Sequence, residues 1–205
     1  MKSRKREPHR TQETILACAA KIFAEHGYAG ARIDDIAEQS GMNKRMIYHY
    51  FGDKRGLYTK VLEEQLLHMS EHLQVPELDS EYEIIKSVVE AYFDYCRLNP
   101  NYISLMIWEM VSEWKTLNRI FNQVQSRFLH SLIETIEAGV QKGVFHSNTH
   151  PRIFLTLTIV QVFCFFPVLK HPDLLQFGQE HERQDSDFSL YKAKVVDQVM
   201  RALKP

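Results

Sequence analysis

Of its 205 residues only three are cysteine (Cys18, Cys96, Cys164), far apart and without metal-type spacing. Each stands in an apolar stretch, the pattern of buried free thiols in a reducing compartment rather than a disulfide framework. No Gly-rich phosphate loop, nucleophile elbow or paired-carboxylate motif occurs, so no enzyme chemistry is expected and no cofactor is implied. His68 and His72 stand one helical turn apart, near Glu64 and Glu71. That spacing suits a metal, but no third or fourth ligand accompanies it, and a solvated helix face is the expected reading. The basic start MKSRKREPHR is followed by no apolar run long enough for a signal peptide, and a cytoplasmic protein is expected.

A membrane span is missing too. The longest charge-free stretch runs from Ile153 to Leu169, between Arg152 and Lys170. At about 1.5 Å per residue it reaches only ~26 Å, short of a hydrocarbon core of ~30 Å. Thr156, Thr158, Gln161 and Pro167 interrupt it. A helix buried on most sides, in a core or a subunit interface, is expected. Strand-like alternation is absent, as are internal repeats and low-complexity tracts, so the pattern predicts an all-α chain.

The charged and hydrophobic fractions, 25% and 44%, are those of an ordinary globular protein. The net charge of -1 conceals an asymmetry. Residues 1–60 hold 12 Lys and Arg against 7 Asp and Glu, and residues 61–205 hold 13 against 19. Only the first part has the electrostatics of a nucleic-acid binder.

About nine helices are predicted. A basic arm (1–9) precedes a helix from about Thr11 to His26, stopped at Gly27. Short helices follow at about 33–39 and 44–50, then a long one from Asp53 towards Leu73. A polar break at Pro76–Asp79 ends this part. Ser80 and Glu83 read as a capping box opening a helix to about Leu98, and Asn99–Pro100 as an N-cap opening another to about Trp114. A long helix is expected from about Leu117 to Lys142, an apolar one from Pro151, loop or short helix over 171–186, and a last helix over about 187–203. The division predicted is residues 9–68 and residues 69–205.

The informative stretch is 27–58, GYAGARIDDIAEQSGMNKRMIYHYFGDKRGLY. Two short amphipathic helices meet at Ser40–Gly41, where a tight turn favours glycine's left-handed backbone. The second opens with Asn43, Lys44 and Arg45, and the next with Asp53, Lys54 and Arg55. Cations at helix starts oppose the macrodipole, so stability does not explain them; an anion docking on free N–H groups does. This is the pattern of a helix-turn-helix, whose second helix presents its first residues to base edges in the major groove. With Ile33, Ile36, Ala37 and Ile47 holding the pair together, Lys44, Arg45, Tyr48 and His49 face outward. Lys and Arg pair with guanine or phosphate, and Tyr hydroxyls bind phosphate.

Residues 11–62 resemble the N-terminal domain of TetR-type transcriptional regulators. The resemblance rests on Gly27–Tyr28, Ile36–Ala37, Gly41 and the run Ile47-Tyr48-His49-Tyr50-Phe51, followed by Lys54 and Leu57. It implies a homodimer, usually a repressor, that leaves a palindromic double-stranded operator when a small molecule binds an all-α C-terminal domain. It also implies phosphate contacts from Tyr48, Tyr50 and Lys54. Ala31 stands where the family usually has Thr, and Arg32 is a substitute phosphate contact. Arg45–Met46 replaces a frequent Gly-Thr, so the operator read is this chain's own; Met46 faces either the core or a thymine methyl.

Beyond that domain, Met106, Trp108, Met110, Phe121, Phe128 and Phe163 either line a pocket for an apolar or amphipathic effector or form the core of a helical domain. The resemblance implies that the last two long helices pack against their symmetry mates. Two other readings remain open: a regulator without small-molecule control, and a protein-interaction module that reuses the fold without binding DNA.

Overall fold

The computed structural model describes residues 8–120, 127–169 and 185–205. Every regular element among them is helical: α1 (Pro8–Gly30), α2 (Ile33–Ser40), α3 (Lys44–Phe51), α4 (Lys54–His72), α5 (Glu81–Leu98), α6 (Pro100–Val111), α7 (Leu117–Ile120), α8 (Arg127–Gln141), α9 (Pro151–Leu169) and α10 (Asp185–Arg201). Ten helices are described where about nine are expected, since residues 121–126, inside the one helix expected over 117–142, lie outside the described residues and leave α7 and α8 on either side. The stretch 171–186, up to the start of α10, and most of the basic arm lie outside the described residues.

Helix ends follow local chemistry. At Gly27 (φ 66, ψ 176) the backbone leaves the helical region and interrupts α1. Gly41 closes α2 in the left-handed conformation (φ 65, ψ 24). Ser80 caps α5 by accepting from the Glu83 N–H at 3.4 Å. Asn99 departs from expectation. Its side-chain amide donates to the Tyr95 carbonyl at 2.8 Å and so closes α5, while only its backbone carbonyl receives the first N–H groups of α6.

The chain divides into two compact units. The first comprises the described parts of Met1–His68 and Ser104–Val124, the second those of Met69–Ile103 and Gln125–Pro205. In the first, Ile15, Ile22, Phe23, Ile36, Ile47, Leu57 and Leu62 are essentially inaccessible. Trp108, 37% exposed, packs on the end of α1: its indole N–H donates to the Ala24 carbonyl at 3.1 Å, and its ring lies so close to Gly27 that an added Cβ would stand 2.8 Å from it. Glu109 is 2% exposed. Its carboxylate accepts the N–H groups of Thr116 (3.1 Å) and Leu117 (2.9 Å) and the hydroxyl of Tyr58. It thereby holds a turn in which Glu113 and Trp114 both have positive φ.

In the second unit α5 is central and packs on α8, α9 and α10. Phe93 stands 5.0 Å from Phe166 and 5.1 Å from Phe188 between ring centroids. The hydroxyls of Tyr92 and Tyr102 meet at 3.4 Å beside Cys96, whose thiol pKa is pushed up by burial to about 12. No described helix is long and apolar enough to cross a membrane.

Candidate nucleic-acid interface

α2 and α3 are joined by three residues. The Gly41 N–H donates to Glu38 (3.2 Å) and the Met42 N–H to Ala37 (3.1 Å), which seals the end of α2 and drives Met42 into the core. Asn43 then accepts the Met46 N–H at 2.9 Å and starts α3. One residue of α3, Ile47, is wholly buried. By helical geometry its anchoring turns Lys44, Arg45, Tyr48 and His49 outward, and all four are exposed. Met46 and Tyr50 are half-buried at the flanks. Arg32, exposed, occupies the N-cap of α2, whose first N–H groups receive no side-chain cap. A 390 Å³ groove lies beside Tyr50 and is also lined by Gln12, Asp53, Arg55 and Thr59.

Two of the predicted cations are held by the protein itself. The Lys44 ammonium forms an ion pair with Asp34, in the first turn of α2. The hydrogen bond to that carboxylate, then its charge, raises the Lys44 pKa. Lys54 donates to the Ala29 carbonyl at 3.3 Å and lies 4.8 Å above the Tyr28 ring. Burial lowers its pKa. Tyr28 in turn stands 5.2 Å from Tyr58, so Lys54 ties the start of α4 to the end of α1. Asp53 caps α4 through the Gly56 N–H at 2.7 Å. Arg45 makes no ion pair among the described residues.

The sequence does not mark Asp34 and Tyr28 as partners of the predicted contacts. The one signal is Asp34 in the first turn of a helix preceding a basic helix start, and that placement has a dipole explanation of its own.

Five of the six expected pocket residues are among the described residues. Met106, Trp108 and Met110 belong to the first unit, where Met106 is buried and Met110 half-buried. Phe128, half-buried, and Phe163, fully buried, belong to the second. Phe121 lies outside the described residues. His68 and His72 are both exposed, and no cluster of three His, Cys, Asp or Glu suited to a metal occurs among the described residues.

Residues 15–61 match the family model described as bacterial regulatory proteins, tetR family. Residues 82–199 match that of the tetracyclin repressor-like C-terminal domain. The HTH-type transcriptional repressor SCO4008 of Streptomyces coelicolor is 31% identical over 139 residues, 68% of this chain and 69% of that protein. Among solved structures, the fatty acid degradation regulator FadR from Bacillus halodurans superposes with a TM-score of 0.70 at 19% identity, over 96% of this chain and 97% of that one. FadR from Bacillus subtilis, solved in complex with stearoyl-CoA, superposes with a TM-score of 0.68 at 18% identity, over 93% and 98%.

Proposed function

This chain belongs to the tetR family of bacterial regulatory proteins and is a DNA-binding transcriptional regulator, and we propose that it is a cytoplasmic homodimeric repressor released from a palindromic operator by a small-molecule effector. The observation that carries the reading is the outward face of α3, where Lys44, Arg45, Tyr48 and His49 stand exposed around a single buried anchor, Ile47. Residues 9–68 form the reading domain and residues 69–205 the regulatory and dimerisation domain. Arg45 and His49, with Lys44, meet base edges; Met46 meets a thymine methyl. Arg32, Tyr48, Tyr50 and Lys54 meet phosphates.

Dimerisation through α9 and α10 is supported by the apolar residues they leave exposed: Ile153, Leu157 and Ile159 on α9, and Leu190 on α10. Apolar surface of that kind marks an interaction face. Repression is supported by the similarity to SCO4008, which is named a repressor. An apolar or amphipathic effector is supported by the aromatic side chains of α5, α9 and α10 and by the acyl-CoA bound to the B. subtilis FadR of like fold. Met106, Trp108, Met110, Phe121, Phe128 and Phe163 are its proposed neighbours. Such an effector acts only if it binds the DNA-free conformation better, because differential affinity alone moves an equilibrium. α4 starts at Lys54 and runs on into residues of the second unit, which makes it the lever.

The test is a pair of variants against a selected operator. Lys44→Ala with Arg45→Ala removes discrimination between operator and random DNA. Lys54→Ala weakens binding to every sequence and flattens the log–log salt dependence by about 0.9 for each phosphate no longer neutralised. Wild-type binding by both variants overturns the assignment of the reading face.

A further inference from the structure

The ion pair between Asp34 and Lys44 is not accounted for by the fold. Both side chains are mostly in solvent, 64% and 55% exposed, so neither packs the core. Exposed pairs of this kind contribute little to stability. The helix dipole favours an acid in the first turn of α2, but Asp35 stands in the same turn and serves that purpose. What distinguishes Asp34 is its reach across the turn to the first residue of α3.

That position has an electrostatic consequence at a DNA surface. A bare carboxylate on the reading face repels phosphate, and a bare ammonium there binds any phosphate regardless of sequence. Paired, the two cancel. To touch DNA, Lys44 must leave Asp34, and the carboxylate is then uncompensated unless the DNA supplies a donor. A cytosine or adenine amino group in the major groove is such a donor, while guanine N7 and O6 accept the lysine. Random sequence offers a phosphate to Lys44 and nothing to Asp34. Arg45, with no ion pair among the described residues, has no such restraint.

We propose that Asp34 is a specificity-determining residue that acts through Lys44: it withholds the Lys44 ammonium from non-specific DNA and releases it where a base-edge donor replaces the lost partner. This rests on the DNA-binding reading above. Arg45 is then the unconditional contact of α3 and Lys44 the conditional one.

The experiment compares wild type, Asp34→Asn, Lys44→Met and the double variant on operator and random duplexes across a salt series. The operator is first selected by the wild type from a random pool. Asn keeps the size of Asp34 without its charge, and an exposed site tolerates it. In Asp34→Asn, freeing Lys44 lets it neutralise one more phosphate per reading head on random DNA. The log–log salt slope there steepens by about 0.9 per head, a gain of about 3.5-fold between 200 and 50 mM salt. The operator-to-random ratio falls, and in the Lys44→Met background the Asp34→Asn change leaves the slope unaltered. An unchanged slope and ratio in Asp34→Asn overturns the inference while leaving the DNA-binding reading intact. An equal effect in the Lys44→Met background also overturns it, since Asp34 would then act by repelling phosphate directly. A wild type that selects no operator sinks both readings.

Discussion

Among the described residues, Glu109 is the one charged side chain that is buried. Carboxylates are seldom fully buried unless satisfied, and this one accepts two backbone N–H groups, from Thr116 before α7 and Leu117 at its start, and the phenol of Tyr58. Burial, then the charge of Glu109, pushes the Tyr58 hydroxyl's pKa up, so the phenol stays a donor throughout the neutral range. Truncation strands three donors at once. Glu109→Ala is expected to lose about 2–4 kcal/mol of stability, and Glu109→Gln, which keeps one acceptor oxygen, about half of that. Urea denaturation of the three proteins measures both; an alanine variant as stable as wild type refutes the account of this buried acid. Nothing local in the sequence marks Glu109, since its partners are brought to it by tertiary packing. The pairing of Asp34 with Lys44 is hidden in the sequence for the same reason.

At the scale of elements, local signals are legible in the sequence and long-range ones are not. Gly41 announces the turn and Asn43 the start of α3, because capping is settled within a few residues. Asn99 reads as the cap of the following helix, yet its amide closes the preceding one. A side chain with both donor and acceptor allows either, and the Tyr95 carbonyl takes the donor. The stop at Gly27 is visible in the sequence, whereas the packing of Trp108 beside it, 84 residues from Ala24, is not. The two effects are separable by a double-mutant cycle. A Cβ on Gly27 meets both a backbone conformation (φ 66, ψ 176) essentially reserved for glycine and the Trp108 ring, 2.8 Å away. Gly27→Ala is expected to lose about 1 kcal/mol less in a Trp108→Ala background than in the wild type, because the clash and the cost of moving the indole off Ala24 are then gone. Thermal unfolding of the four proteins decides it, and an equal loss in both backgrounds removes Trp108 from the packing of α1.

On the scale of the whole molecule, the charge asymmetry along the chain matches the division of labour proposed. The basic first sixty residues contain α2 and α3, and the acidic remainder contains the aromatic second unit and the exposed apolar residues of α9 and α10. The all-α class is legible from periodicity throughout. Whether the expected effector residues fill a core or line a cavity is not legible in the sequence, because aromatic side chains at helical spacing look alike in both. Two reading heads related by two-fold symmetry impose a two-fold pattern on the DNA they recognise. Selection of duplexes from a random pool by the purified protein tests this directly. The expected outcome is one enriched palindrome with half-sites about 34 Å apart, or a multiple of that; failure to enrich any sequence, or enrichment of a single unrepeated half-site, contradicts it.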